Sequence, residues 1–107
     1  MKKKIDVVII GAGSGGLTAA VGFSKAGKRV VLIEREHLGG ECTNSGCIPS
    51  KALLHQAKTY FEAVNIAGDS SASNAFKNNA LQQVRKTIDT VLNEETPATF
   101  AAIGIKV

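Results

Sequence analysis

The sequence predicts an α/β fold built on a parallel sheet, and three observations carry that prediction. Two short β-branched runs, Ile5 to Ile10 and Arg29 to Ile33, alternate with stretches of helical periodicity. The first run is almost wholly apolar, the pattern of a strand covered on both faces. It empties into a glycine-rich turn, Gly11-Ala12-Gly13-Ser14-Gly15-Gly16, that opens a helix.

The elements follow in order. Leu17 to Lys25 continues as a helix, with Leu17, Ala20 and Ser24 on one face. Gly27 closes it as a C-cap, and Lys25 places a cation in the last turn, where the helix dipole favours one. The second strand ends at Glu34, and Arg35 to Gly40 reads as a loop with His37 facing solvent or capping. Ala52, Leu53, Ala57, Tyr60, Phe61 and Val64 then recur at helical spacing. Pro49 lies where the first turn of a helix tolerates a missing N–H, and the helix is expected to start near Cys42 or Gly46, to run to Asn65 and to bend near Pro49. His55 reads as a partly exposed surface residue on it.

Asn65 to Ser73 is polar and reads as a loop. A second long helix is expected from about Ala75 to Glu95, with Leu81, Val84, Ile88 and Val91 or Leu92 as its apolar stripe. Glu94 and Glu95 sit at its negative end, so something other than helix stability sets their position. Thr96-Pro97 is expected to stop the helix, and Ala101 to Val107 to begin a further strand. No internal repeat or interdomain linker interrupts the chain.

Composition bounds the function. The 107 residues are 44% hydrophobic and 21% charged, which suits one small globular domain with a modest core. Formal net charge is +4, partly from Lys2-Lys3-Lys4, a solvated tail. Aromatic content of 5% leaves no rings interleaved with basic residues, so nucleic acid is not an expected partner. Val7 to Ser24 carries no formal charge, yet Asp6 and the four glycines from Gly11 to Gly16 argue against a signal peptide or a membrane helix. A soluble, cytoplasmic chain is expected.

Strand, Gly-x-Gly-x-x-Gly turn, helix, strand and terminal acid together form a Rossmann-like dinucleotide-binding unit. Gly11 permits the tight turn, Gly13 lets a pyrophosphate approach the backbone, and Gly16 lets the helix pack on the strand. The helix N-terminus offers free N–H groups to phosphate. Glu34 is placed to accept bonds from both ribose hydroxyls and would repel a 2′-phosphate there. The competing reading is a tight turn with no ligand.

Both cysteines lie in Gly39-Gly40-Glu41-Cys42-Thr43-Asn44-Ser45-Gly46-Cys47-Ile48-Pro49-Ser50-Lys51. Three readings stand: a redox pair, two inert buried thiols, or a metal site shared with His37 and His55. The spacing fits no common zinc pattern. In a chain without a secretion signal, the redox reading is favoured. A thiol at a helix start is expected to have a lowered pKa.

These residues resemble the redox-active disulfide motif of the class I pyridine nucleotide-disulfide oxidoreductases, flavoenzymes that include lipoamide dehydrogenase, glutathione reductase and mercuric reductase. The resemblance covers essentially the whole chain. It implies a Rossmann-like FAD-binding fold with parallel strands, residues 1–107 forming its N-terminal part. FAD contacts are then expected at Gly11, Gly13, Ser14, Gly15, Gly16, Glu34, Arg35, Gly40, Cys42, Cys47 and Lys51. Cys42 resembles the interchange thiol, Cys47 the thiol beside the flavin, and Lys51 the lysine at the flavin's reactive edge. NAD(P)H is implied as co-substrate, bound by domains outside this chain, and a disulfide, dithiol or lipoyl group as substrate.

Ile48-Pro49-Ser50-Lys51-Ala52-Leu53-Leu54 looks most like lipoamide dehydrogenase, with a mercuric reductase-like member as the alternative. Ser50 stands where glutathione reductases usually carry Lys. Glu41, Thr43 and Ser45 depart from the commoner residues of the motif. No second Gly-x-Gly-x-x-Gly follows Gly16, so the chain reads as a fragment of a homodimeric enzyme. The fragment itself is expected to lack turnover, to act at most as a nucleotide-binding module, and to self-associate or domain-swap through an open sheet edge.

Overall fold

The computed structural model describes residues 2–68 and 73–107. Three strands form one parallel sheet in the order β1 (Val7–Ile10), β2 (Val30–Ile33), β3 (Ile105–Lys106). Val7 pairs with Val30 and Val30 with Ile105, so Val7, Ile9, Val30, Leu32 and Ile105 share one face. Helix α1 (Ser14–Lys25) covers that face with Ala20, Leu17 and Val21. The core is this contact, closed by Ala12 and Phe100.

The other sheet face is open. Val8 is 56% exposed and Ile10 84%, so β1 is not the doubly covered strand its apolar run predicts. The reason is topological: among the described residues, the core cluster gathers on one side of the sheet only. The strands are also shorter than the apolar runs. Asp6 and Arg29 stand just before β1 and β2 and bond each other, Arg29 Nε and Nη2 donating to the Asp6 carboxylate at 3.0 and 3.2 Å. That pairing lowers the Asp6 pKa from 3.8 to about 2.

α1 ends one residue before the expected cap. Ala26 is the C-cap, and Gly27 follows in the left-handed region at φ +75°. Gly27 N–H donates to the Ser24 carbonyl and Lys28 N–H to that of Phe23, which is the Schellman pattern.

The predicted bent helix is two helices, α2 (Gly40–Asn44) and α3 (Cys47–Ala67). The break falls at Ser45-Gly46, not at Pro49. Pro49 sits in the first turn of α3, as its place after the cysteines predicts, and Gly46 is the N-cap, so of the expected features only the bend at Pro49 is absent. α3 runs on through Asn65-Ile66-Ala67, which the sequence assigned to a loop, and Gly68 ends it at φ +65°. Residues 69–72 of that expected loop lie outside the described residues.

α4 (Ser73–Glu94) pairs with α3 through Tyr60 stacked on Phe76, ring centroids 4.8 Å apart. Its inward stripe holds Ala80 and Val84, with Ile88, Val91 and Leu92 half-buried. Leu81 is 68% exposed and leaves the expected stripe, because Ala80 occupies the contact row four residues before Val84. Thr96-Pro97 stops α4, as expected, but also starts α5 (Pro97–Ala102). Thr96 Oγ1 accepts from Thr99 N–H, and Pro97 takes the first helical position. The strand predicted from Ala101 therefore shrinks to β3.

Candidate functional site

The glycine turn is built as the motif predicts. Gly11 has φ +99°. A Cβ on Gly16 would stand 1.8 Å from the Gly11 carbonyl oxygen, so only glycine lets α1 start against β1. Gly13 and Gly15 differ, because a Cβ on either would meet nothing within 4 Å. Nothing in the chain itself demands glycine at Gly13, and an incoming group approaching the backbone would. No side chain caps α1 and its first turn holds no acid, so the first-turn N–H groups, from Ser14 onward, remain available to an anion. These residues fit a nucleotide diphosphate.

Glu34 stands at the end of β2, and its carboxylate is already engaged. Oε2 accepts from Ala12 N–H at 2.6 Å; Oε1 accepts from Arg35 N–H at 2.8 Å and Glu36 N–H at 2.9 Å. These bonds, that from Glu36 foremost, lower its pKa. A carboxylate has about four acceptor sites, so roughly one is left for a ribose hydroxyl while these three bonds last. Arg35 is exposed and pairs with Glu36 at 3.0 Å. It does not line the cavity of about 280 Å³ beside Glu34, which is formed by Glu34, Glu36, His37, Gly40, Glu41, Asn44 and Ser45.

The cysteine loop is stitched to the glycine turn. Gly39 N–H donates to the Ala12 carbonyl at 2.8 Å, and a Cβ on Gly40 would stand 2.9 Å from Gly13 Cα. Gly39 at φ +87° and Gly40 at φ +58° lead directly into α2. Asn44 locks this entry by donating its amide to the Gly40 carbonyl at 2.7 Å and the Leu38 carbonyl at 3.1 Å. Asn44 carries no expected role of its own; only its place inside the cysteine motif marks it.

Cys42 lies in α2, half-buried, and Cys47 opens α3, exposed; neither is in a disulfide. The Ser45-Gly46 break folds one helix back on the other. Gly46 permits it, since a Cβ there would meet the Glu41 carbonyl at 2.9 Å and Cys42 Cα at 3.4 Å. The neighbouring Cys47 thiol, and then burial, raise the Cys42 pKa against the smaller lowering effect of Lys51. For Cys42 this reverses the lowered pKa expected of a thiol near a helix start, because its reduced partner stabilises the protonated form. Lys51 is exposed, one turn past Cys47. His37 and His55 are both exposed, and no group of three or more His, Cys, Asp or Glu side chains comes together among the described residues. No helix among them is long and apolar enough to cross a membrane.

Fold and site together define a Rossmann-like α/β unit with two cysteines fixed beside its glycine turn. The chain belongs to the pyridine nucleotide-disulphide oxidoreductase family, whose family model matches residues 5–102. It is similar to dihydrolipoyl dehydrogenase of Staphylococcus aureus, 50% identical over 58 residues, and of Bacillus subtilis, 48% over 60. Those alignments cover 54% and 56% of this chain and 12% and 13% of the relatives. Its fold matches the HOCl-induced flavoprotein disulfide reductase RclA from Escherichia coli with a TM-score of 0.68 at 34% identity, covering 94% of this chain and 20% of that one. The Cu(II) complex of the same reductase matches at 0.69 and 33%, covering 95% and 21%. The chain thus spans about an eighth of the curated relatives it matches and a fifth of the reductase. The family's cofactor is FAD, with a pyridine nucleotide as co-substrate.

Proposed function

We propose that this chain is the N-terminal FAD-binding part of a disulfide oxidoreductase most like dihydrolipoyl dehydrogenase, with Cys42 and Cys47 as its dithiol/disulfide couple. One observation carries the reading: the glycine turn and the thiol pair are a single site, joined by the Gly39–Ala12 hydrogen bond and the Gly13–Gly40 contact. Gly11, Gly13, Ser14, Gly15, Gly16 and Gly40 hold the diphosphate, and Glu34 and Arg35 lie toward the adenosine ribose. When bound, FAD supplies hydride acceptance from NAD(P)H and two-electron exchange with the disulfide.

Cys47 faces the cofactor side and Cys42 the substrate, a disulfide, dithiol or lipoyl group. As the Cys42 thiolate forms, Lys51 stabilises its charge, against the neighbouring Cys47 thiol that raises the Cys42 pKa. The whole enzyme acts in the cytoplasm as a homodimer. The isolated chain has no turnover of its own, and Val8, Ile10 and Ile33 on its open sheet face favour self-association.

The test is FAD fluorescence titrated with the purified chain. Saturable quenching is expected, lost in Gly13→Val, whose side chain fills the space the diphosphate needs. Quenching that Gly13→Val leaves intact would refute the assignment of the turn.

A further inference from the structure

The excess positive charge of the chain gathers where its strands begin. Lys2 to Lys4 precede β1, Lys25 and Lys28 lie at the end of α1 and in the turn after it, Arg29 precedes β2, and Lys106 lies in β3. These are seven of the chain's 13 Lys and Arg, against one of its nine acids, Asp6. Elsewhere acids outnumber cations, so this end alone accounts for the sign of the net charge of +4. Asp6 is taken up by Arg29, and the six lysines are exposed. Because the sheet is parallel, the three strand starts lie side by side. Lys3, Ile5, Arg29 and Lys106 line one cavity of about 940 Å³, and no acid lines it. Ser24 Oγ donates to the Ile103 carbonyl, which ties the end of α1 to the start of β3.

Apolar side chains stand among these cations. Ile5 is 41% exposed, Phe23 44% and Ile103 47%. Phe23 lies in the last turn of α1, where its carbonyl accepts from Lys28 N–H, and Ile103 caps α5. Large apolar groups in water, rimmed by charge, mark a surface that meets a partner. The one Arg of this end is held by Asp6, so no free guanidinium fork remains for bidentate recognition of a defined anion. Lysines on flexible stems act as point charges, and mixed with exposed apolar groups they suit a fluid anionic surface. The glycine turn and Glu34 follow the opposite ends of β1 and β2, so docking here leaves that turn open.

We propose that this basic end docks on an anionic lipid surface, its lysines against the headgroups and Ile5, Phe23 and Ile103 in the interfacial layer. Each lysine close to such a surface strengthens binding about five-fold at low salt, and the effect fades within a Debye length.

The test sediments the 107-residue chain with vesicles of phosphatidylcholine alone or with about 30% phosphatidylserine. Binding is expected on the anionic vesicles only, weakening as salt rises. Lys2→Gln, Lys3→Gln and Lys4→Gln together should lower the affinity about 100-fold. Lys77→Gln with Lys86→Gln, on α4 away from this end, should change it about two-fold or less. The sequence holds no Trp, so Phe23→Trp adds a single reporter whose emission should shift to the blue on anionic vesicles. Equal losses in the two lysine sets would assign binding to net charge rather than to this end, and overturn the proposal. An unshifted Trp on sedimented chain would exclude apolar contact and overturn it as well. So would failure to bind either vesicle. Binding to soluble poly-glutamate with none to vesicles, lost with Lys2 to Lys4, would make an acidic polypeptide the partner instead.

Discussion

Cys42 shows how a neighbour outweighs a helix end. The neighbouring Cys47 thiol is the leading reason its pKa is raised, ahead of burial and against Lys51. Removing that partner in Cys47→Ala therefore shifts the alkylation profile of Cys42 by iodoacetamide to lower pH. An unchanged profile would show that burial alone governs the thiol. Asp6 obeys the opposite sign. Arg29 depresses its pKa to about 2, so the folded state gains from this carboxylate above pH 3.8 and loses the gain as pH falls from there through about 2. Asp6→Asn should flatten the difference in melting temperature across that window, measured against the parent chain. Equal acid slopes in the two proteins would exclude the pair as a contributor.

At the scale of elements, glycine positions separate two physical roles. Gly16→Ala drives a Cβ into the Gly11 carbonyl at 1.8 Å, backbone that cannot step aside, and should destabilise by about 1–3 kcal/mol or more. Gly22→Ala, in the same helix with nothing within 4 Å, should instead stabilise by about 0.5–1 kcal/mol. Thermal melts of both variants check the contrast, and shifts of like sign would contradict it. The β1–turn–α1–β2 unit was legible because its cues are local: a β-branched run, glycines at fixed spacing, an acid at the second strand's end. The Ser45-Gly46 break was legible only in part: Gly46 was one of two expected helix starts and Pro49 fitted a first turn, but no local cue chose between Cys42 and Gly46 or showed that both begin helices. α5 was hidden likewise, since Thr96-Pro97 reads equally as an end or a beginning, and the choice depends on Phe100 reaching the core. The tie of Glu34 to Ala12 was equally out of reach, because it joins residues 22 apart through side-chain geometry.

Across the whole molecule, α1 and α5 cover one sheet face, α3 and α4 form a hairpin, and α2 sits where the two meet. The thiol pair stands at that meeting point, and its partners come from both sides: Gly13 and Ala12 from the sheet unit, Val91 and Glu95 from the hairpin. The sequence motif placed the cysteines beside the glycine turn, but the contribution of α4 is non-local and carried only one trace, an acid at the wrong end of a helix. The account stands on Cys42 and Cys47 cycling as one two-electron couple. The most direct measurement equilibrates the chain in glutathione buffers of graded potential, then quenches and maps it by peptide mass. The expected result is a single transition with a loss of about 2 Da and a peptide cross-linked from Cys42 to Cys47. Separate glutathione adducts on the two cysteines, with no cross-linked peptide at any potential, would contradict it.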